Sequence, residues 1–217
     1  MAGHPCRAAG HRAKLVGVAG LVPQAGYGTE VTGLDDREWN GLRRSLAAGI
    51  GPKAGGRSLA LALLLEGDST TAVALAPAVR WAEEVWAAAC GEAGALTLPQ
   101  LLGAWYGALA RRPRKWGDVK GPIGAAWLTL RCAGWDWPAP LTFASPQGHQ
   151  YLLTEWAPAL LRQKLVAAER ASLEKTAAAR MRRREFSAPL GEAWSAQRIS
   201  VAAVARVLTS RKRPLDT

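Results

Sequence analysis

Through most of this chain apolar residues return every three or four positions, the spacing that lays them on one face of a helix. Trp39, Leu42 and Leu46 predict a helix over 35–48, which Asp35 or Asp36 can cap and which Gly49, Gly51 and Pro52 end. Beyond the loop 52–57, Ser58 can cap a short apolar helix that runs to Glu66 and stops at Gly67 and Asp68. Pro77 suits the first turn of a helix over 77–90. Trp81, Ala82, Val85, Trp86, Ala88, Ala89 and Cys90 cover about 200° of its circumference and leave a strip on which Arg80 can pair with Glu83 or Glu84.

A helix over 98–111 opens at Thr97 and Pro99 and turns Leu98, Leu101, Leu102, Trp105 and Leu109 inward; another over 122–133 opens at Pro122 and buries Ile123, Ala126, Trp127 and Leu130. The period then changes. Trp135 to Pro140 contains two prolines and cannot be helix interior, while 141–143 and 150–153 flank a turn at 146–148, so a β-hairpin is predicted near 141–153. Thr154 can cap a long helix over 156–184, in which Leu160, Leu161, Leu165, Ala168, Leu173 and Met181 thin out toward the end. Its anchor is expected at its beginning, with the second half protruding. After a loop at 187–191, Val201, Val204, Val207 and Leu208 predict a last helix over 200–210. The expected fold is mainly α: an irregular helical bundle with a small β-hairpin and a long basic helix near the C-terminus. Residues 1–14 are expected to be disordered, 15–155 to form the core, and 156–217 to make a basic helical extension.

Composition supports a packed core, since 49% of the 217 residues are hydrophobic and 10 are Trp. Burial of Trp81, Trp86, Trp105 and Trp127 among the helices 77–90, 98–111 and 122–133 follows. Cys6, Cys90 and Cys132 form no closely spaced pair and suggest neither a disulfide framework nor a metal site, which makes a reducing compartment the default. The longest apolar run, Leu59 to Leu65, falls well short of the roughly 20 residues that span a bilayer, so no membrane partner is expected. Arg7, Arg12 and Lys14 before the mildly apolar Leu15 to Val22 faintly echo a targeting peptide, but two glycines and Pro23 interrupt it.

The net charge of +11 is unevenly placed. Residues 162–217 carry 13 Lys and Arg against 5 Asp and Glu, whereas residues 30–100 carry 6 against 9. Arg111, Arg112, Arg114 and Lys115 cluster beside Trp116 in mid-chain, and Arg180, Arg182, Arg183 and Arg184 line the end of the long helix. Both clusters are candidate phosphate contacts, with Trp116 as a stacking surface; the plainer reading is a solvated charged face. Arg211, Lys212 and Arg213 read equally as a nuclear-import tract.

The stretch from Gly20 to Leu34 contains Pro23 and then Tyr27, Gly28, Thr29, Glu30 and Val31, and leads straight into the helix that begins at Asp35 and Asp36. It resembles the segment after the catalytic palm in non-LTR retrotransposon reverse transcriptases, where a Pro and a Tyr-Gly-x-Glu-Val segment precede a thumb-like helix. Arg80 to Trp86, Gly121 to Leu128 and Gly134 to Pro138 are similar to the region after the reverse transcriptase in dinoflagellate retrotransposon polyproteins. Thr32 stands where that family often has Trp. The resemblance covers most of residues 15–217 and implies a non-catalytic part of an RNA-directed DNA polymerase polyprotein. Its helices would grip RNA or an RNA–DNA duplex beside an upstream polymerase domain, with no cofactor of their own. Tyr27, Gly28 and Glu30 would then be structural.

The other chemical candidates have plainer explanations. Asp35 and Asp36 could suggest a palm's metal-binding acids, but Gly33 stands where the aromatic should be and helical spacing follows, so a cap is preferred. Gly51 to Ser58 nearly spells a phosphate loop but has Arg57 in place of Lys and a helix where a strand should precede it. His4, Cys6 and His11 lack a fourth zinc ligand, and His149 has no catalytic companions. Gly103 and Gly107 either permit close packing or face solvent. Two alternatives to nucleic-acid contact stay open: a helical protein-interaction or assembly module, and a degenerate translated fragment without selected function.

Overall fold

The computed structural model describes residues 17–50 and 59–183. A π-helical turn, Gly17–Leu21, leads into the short helices α1 (Val22–Gly26) and α2 (Thr29–Thr32). Then follow α3 (Asp36–Ile50), α4 (Leu59–Glu66), α5 (Thr70–Ala74), α6 (Ala76–Cys90), α7 (Leu98–Leu109) and α8 (Pro122–Cys132). Strands β1 (Asp136–Ala139), β2 (Thr142–Ala144) and β3 (Gln150–Leu152) form an antiparallel sheet in that order, and α9 (Pro158–Arg183) ends the described chain. The architecture is mainly α, an irregular bundle with a small sheet and a long helix near the C-terminus. The expectations for residues 1–14, 51–58, 187–191 and 200–210 lie outside the described residues.

Local chemistry sets the helix starts. Asp35 Oδ1 accepts the Glu38 backbone N–H at 2.7 Å, and Glu38 Oε2 accepts that of Asp35 at 3.1 Å, a reciprocal box that opens α3. Thr97 and Gln100 do the same for α7, and prolines occupy the first turns of α6, α7 and α8, where a missing N–H costs nothing.

The interior is built from indoles. Trp137, on β1 and 2% exposed, meets Trp81 of α6 at a ring separation of 5.1 Å, Trp127 of α8 at 5.3 Å, Phe143 of β2 at 5.5 Å and Trp105 of α7 at 6.1 Å. Trp105 stacks on Trp127 at 5.5 Å. The Pro140 carbonyl accepts both the Trp81 Nε1–H at 3.0 Å and the Trp137 Nε1–H at 3.4 Å. Leu153, Leu161 and Leu165 close the cluster from the end of the hairpin and from α9.

Several faces differ from those the periodicity suggests. Trp81, Trp105 and Trp127 are buried, but Trp86 is only half-buried and Cys90 is exposed, because α6 turns Ala78, Trp81, Ala82 and Val85 inward and its last turn runs beyond the core. α8 is buried on all sides from Gly124 to Leu130, enclosed by α2, α6, α7 and β1. The hairpin gains a third strand, since β1 accommodates Pro138 at the sheet edge, where no ladder hydrogen bond is lost. Leu160 faces solvent, leaving Leu161 and Leu165 as the anchor. The expected protrusion does not begin at mid-helix: Leu173 and Ala177 of α9 pack on Ala60 and Leu64 of α4, so α9 belongs to the core as far as Ala177.

Trp137→Ala should lower stability by about 3–5 kcal/mol, the range for deleting a fully buried aromatic. Trp86→Ala should cost distinctly less. Urea denaturation of the two variants measures both, and equal losses would contradict the arrangement of α6.

Candidate nucleic-acid interface

The mid-chain basic cluster occupies the connection between α7 and α8, and hydrophobic contacts set its shape. The Arg112 guanidinium carbon lies 3.8 Å from the Trp127 ring centroid, and its Nη2 is 3.5 Å from Asp136 Oδ1. Such a cation–π contact contributes about 0.5–1 kcal/mol at an exposed site. Pro113 is buried beside Gly124, and Arg131 of α8 donates to the Arg114 carbonyl. Trp116 begins a 3-10 turn, Trp116–Asp118, and its ring edge packs on Gly33. A Cβ added to Gly33 would lie 2.3 Å from Trp116 Cζ3, and the Gly33 φ of 72° also disfavours any side chain. Thus the loop is braced from below at Arg112, Pro113, the Arg114 carbonyl and Trp116.

Facing outward are Arg111, Arg114, Lys115 and Lys120, all exposed and without an ion pair among the described residues. Asp118 is the acid within the same loop. The structure therefore divides the sequence cluster: Arg112 is engaged with Trp127 and Asp136, whereas Arg111, Arg114 and Lys115 are free. Trp116 is partly buried with its Nε1 inside, so less of the indole is open for stacking than the sequence suggested. Arg131 joins the group across the fold. Its signal was its place as the lone charge on an otherwise apolar helix segment.

Of the second cluster, Arg180, Arg182 and Arg183 lie on the last turn of α9, and Arg184 falls outside the described residues. The residues that carry the sequence resemblance play unequal parts. Gly28 links α1 to α2 at a φ of 78°, whereas Tyr27 is 94% exposed and Glu30 is exposed, so of the three only Gly28 is held by a conformational demand. Asp35 is a helix cap. His149 stands at the hairpin turn with its backbone N–H donated to Ser145 Oγ, and Gly103 and Gly107 face solvent. Among the described residues no group of three or more His, Cys, Asp and Glu could hold a metal ion, and no helix is long and apolar enough to cross a membrane.

A second polar constellation, invisible in the sequence, lies inside the bundle. Trp39 Nε1 donates to Thr70 Oγ1 at 3.0 Å, Thr70 Oγ1 donates to Asp68 Oδ1 at 2.5 Å, and Arg43 Nε donates to Asp68 Oδ2 at 2.8 Å. The Arg43 guanidinium lies 3.7 Å from the Trp39 ring centroid, and its Nη2 is 3.7 Å from Glu169 Oε2. Arg43, Asp68 and Glu169 have side chains at most 10% exposed. Desolvation pushes the Glu169 carboxyl up from its ordinary 4.5 and outweighs the attraction of Arg43, with Asp68 adding repulsion.

Gly33→Ala should displace the 111–118 loop and lower stability by more than about 1 kcal/mol, through both the clash and the left-handed backbone. Thermal unfolding together with quenching of Trp116 fluorescence reads the two effects. The raised Glu169 favours folding while protonated, and this contribution is lost as pH rises from about 4.5 through the raised value. Glu169→Gln should therefore equal the parent in acid and exceed its stability at neutral pH, as urea denaturation across pH would reveal. No protein-family model matches the chain, and neither a curated protein nor a solved structure matches it.

Proposed function

We propose that this chain contacts nucleic-acid backbone without catalysing a reaction, as a thumb-like portion of a retroelement reverse-transcriptase polyprotein. The observation that carries the proposal is the braced loop between α7 and α8, which holds Arg111, Arg114, Lys115 and Lys120 outward with no intramolecular ion pair among the described residues. A braced backbone has little ordering left to lose when the loop meets phosphates, so that only the side-chain rotamers of these cations remain to be fixed. Phosphate recognition needs no reactive side chain, and RNA or an RNA–DNA duplex would be held with little sequence preference. The arginines at the end of α9 extend the positive charge along the sequence.

One observation favours a second reading, a protein-interaction module. α7 has no charged residue, and its outer side exposes Tyr106 and Leu109 beside Gly103 and Gly107. Salt separates the two, because phosphate contacts release counterions and an apolar interface does not.

Affinity for a short RNA–DNA hybrid should fall steeply with salt, with a log–log slope of about −0.9 per phosphate contact on the B-form scale. Changing Arg111, Arg114 and Lys115 together to Gln should flatten that slope and leave the unfolding transition in place, since all three are exposed. Binding indifferent to both salt and this replacement would favour the interaction module.

A further inference from the structure

α7 turns Leu101 and Trp105 into the core and leaves Gly103, Ala104, Tyr106 and Gly107 exposed on its outer side, with Tyr106 60% exposed. From Ala93 to Ala110 there is no charged residue, in a chain whose net charge is +11. The solvent side of a surface helix is ordinarily charged or polar, and this one is neither. Nor does the chain's own packing call for its glycines: a Cβ added to Gly103 or Gly107 meets nothing within 4 Å. Two glycines inside a helix weaken it relative to alanine, and here the cost brings no contact within the chain.

Charges stand just beyond both ends of this face, and they differ in sign. Glu92 lies before α7 and Arg111 after it, both exposed and without an ion pair among the described residues. A second copy laid antiparallel brings Glu92 of each to Arg111 of the other, whereas a parallel copy sets like charge against like. The order of small and large positions is self-complementary in the same sense. About a two-fold axis level with Trp105, Gly103 faces Gly107 of the second copy, and Ala104 faces Tyr106 of the second copy. Facing glycines let two helices approach to the short end of the usual spacing of about 8–10 Å, and each tyrosine ring then covers an alanine.

We propose that two copies of this chain pair antiparallel through the outer face of α7, with Gly103 against Gly107, Ala104 against Tyr106, and Glu92 of each copy against Arg111 of the other. The twelve residues of α7 span about 18 Å, so the face is small beside the roughly 800 Å² per partner of a standard interface and the association is weak and reversible. It does not depend on nucleic acid, and it leaves Arg114, Lys115 and Lys120 to phosphate.

The test is sedimentation equilibrium of the nuclease-treated full chain at about 0.15 M salt, where the net charge is screened beyond about 8 Å, over protein concentrations from roughly 10 μM to 1 mM. A reversible monomer–dimer equilibrium is expected. Gly107→Gln should raise the dissociation constant about tenfold or more while leaving the unfolding temperature no lower, because the added side chain meets nothing in its own chain. Glu92→Arg and Arg111→Glu should each weaken the pairing about threefold or more, and the double variant should recover it, since the exchanged charges again oppose each other. A monomer throughout the range, an undiminished dimer of Gly107→Gln, or a double variant no better than the single ones would overturn the proposal.

Discussion

Everything in this fold leans on the need to shield Trp137 and the rings around it. Each indole buries roughly 150–250 Å² when enclosed, which at about 25 cal/mol per Å² makes this cluster the largest apolar contribution among the described residues. The rings come from α6, α7, α8 and β1, so none can be covered until all four elements have docked. The Pro140 carbonyl adds direction to an otherwise undirected attraction by accepting two of the indole N–H groups. Strands of three and four residues would not persist alone. Here Trp137, Phe143 and Leu153 tie them to the helices.

The basic loop inherits its shape from that cluster. Arg112 covers the outer face of Trp127, and Asp136, next to Trp137 in β1, receives the other side of its guanidinium. Core and charged surface therefore meet in a single side chain. Trp116 reaches inward to Gly33 and ties the far end of the loop to the segment just before α3. What remains outward is a set of cations on a braced backbone, so that only their side chains remain to be ordered against phosphates.

Periodicity made the longer helices legible, and α3, α7 and α8 begin where Asp35, Thr97 and Pro122 stand, whereas α1, α2 and α5, of four or five residues, are too short to show a period. Which residues of a face go deepest was less legible. Leu160 and Leu161 are equivalent on composition, and only packing into the indole cluster selects Leu161. β1 escaped notice because a strand of four residues that includes Pro138 is too short to show a period and reads as a turn; its pairing is imposed by β2. The candidate site was half legible: the run of Arg and Lys marked the loop, but nothing in it distinguished Arg112, held down, from Arg111 and Arg114, held out. The inner group of Arg43, Asp68 and Glu169 was not legible at all, since charges at separations of 25 residues and more read as surface until the fold joins them.

That inner group also explains how α9 is set against the bundle. Its deepest positions, Leu161, Leu165, Glu169 and Ala177, follow a spacing of four or its multiple. At about 100° per residue, each step of four advances some 40° around the helix, so the contact line winds and must meet different neighbours in turn. It meets the indole cluster first, then Arg43 of α3, then Ala60 and Leu64 of α4. An entirely apolar line could slide by one turn and still bury leucines. With Glu169 at its centre, such a slide would oppose Arg43 with Leu165 or Leu173 and carry the Glu169 carboxyl away from the guanidinium that faces it. The contact between Glu169 and Arg43 thus favours one alignment of α9.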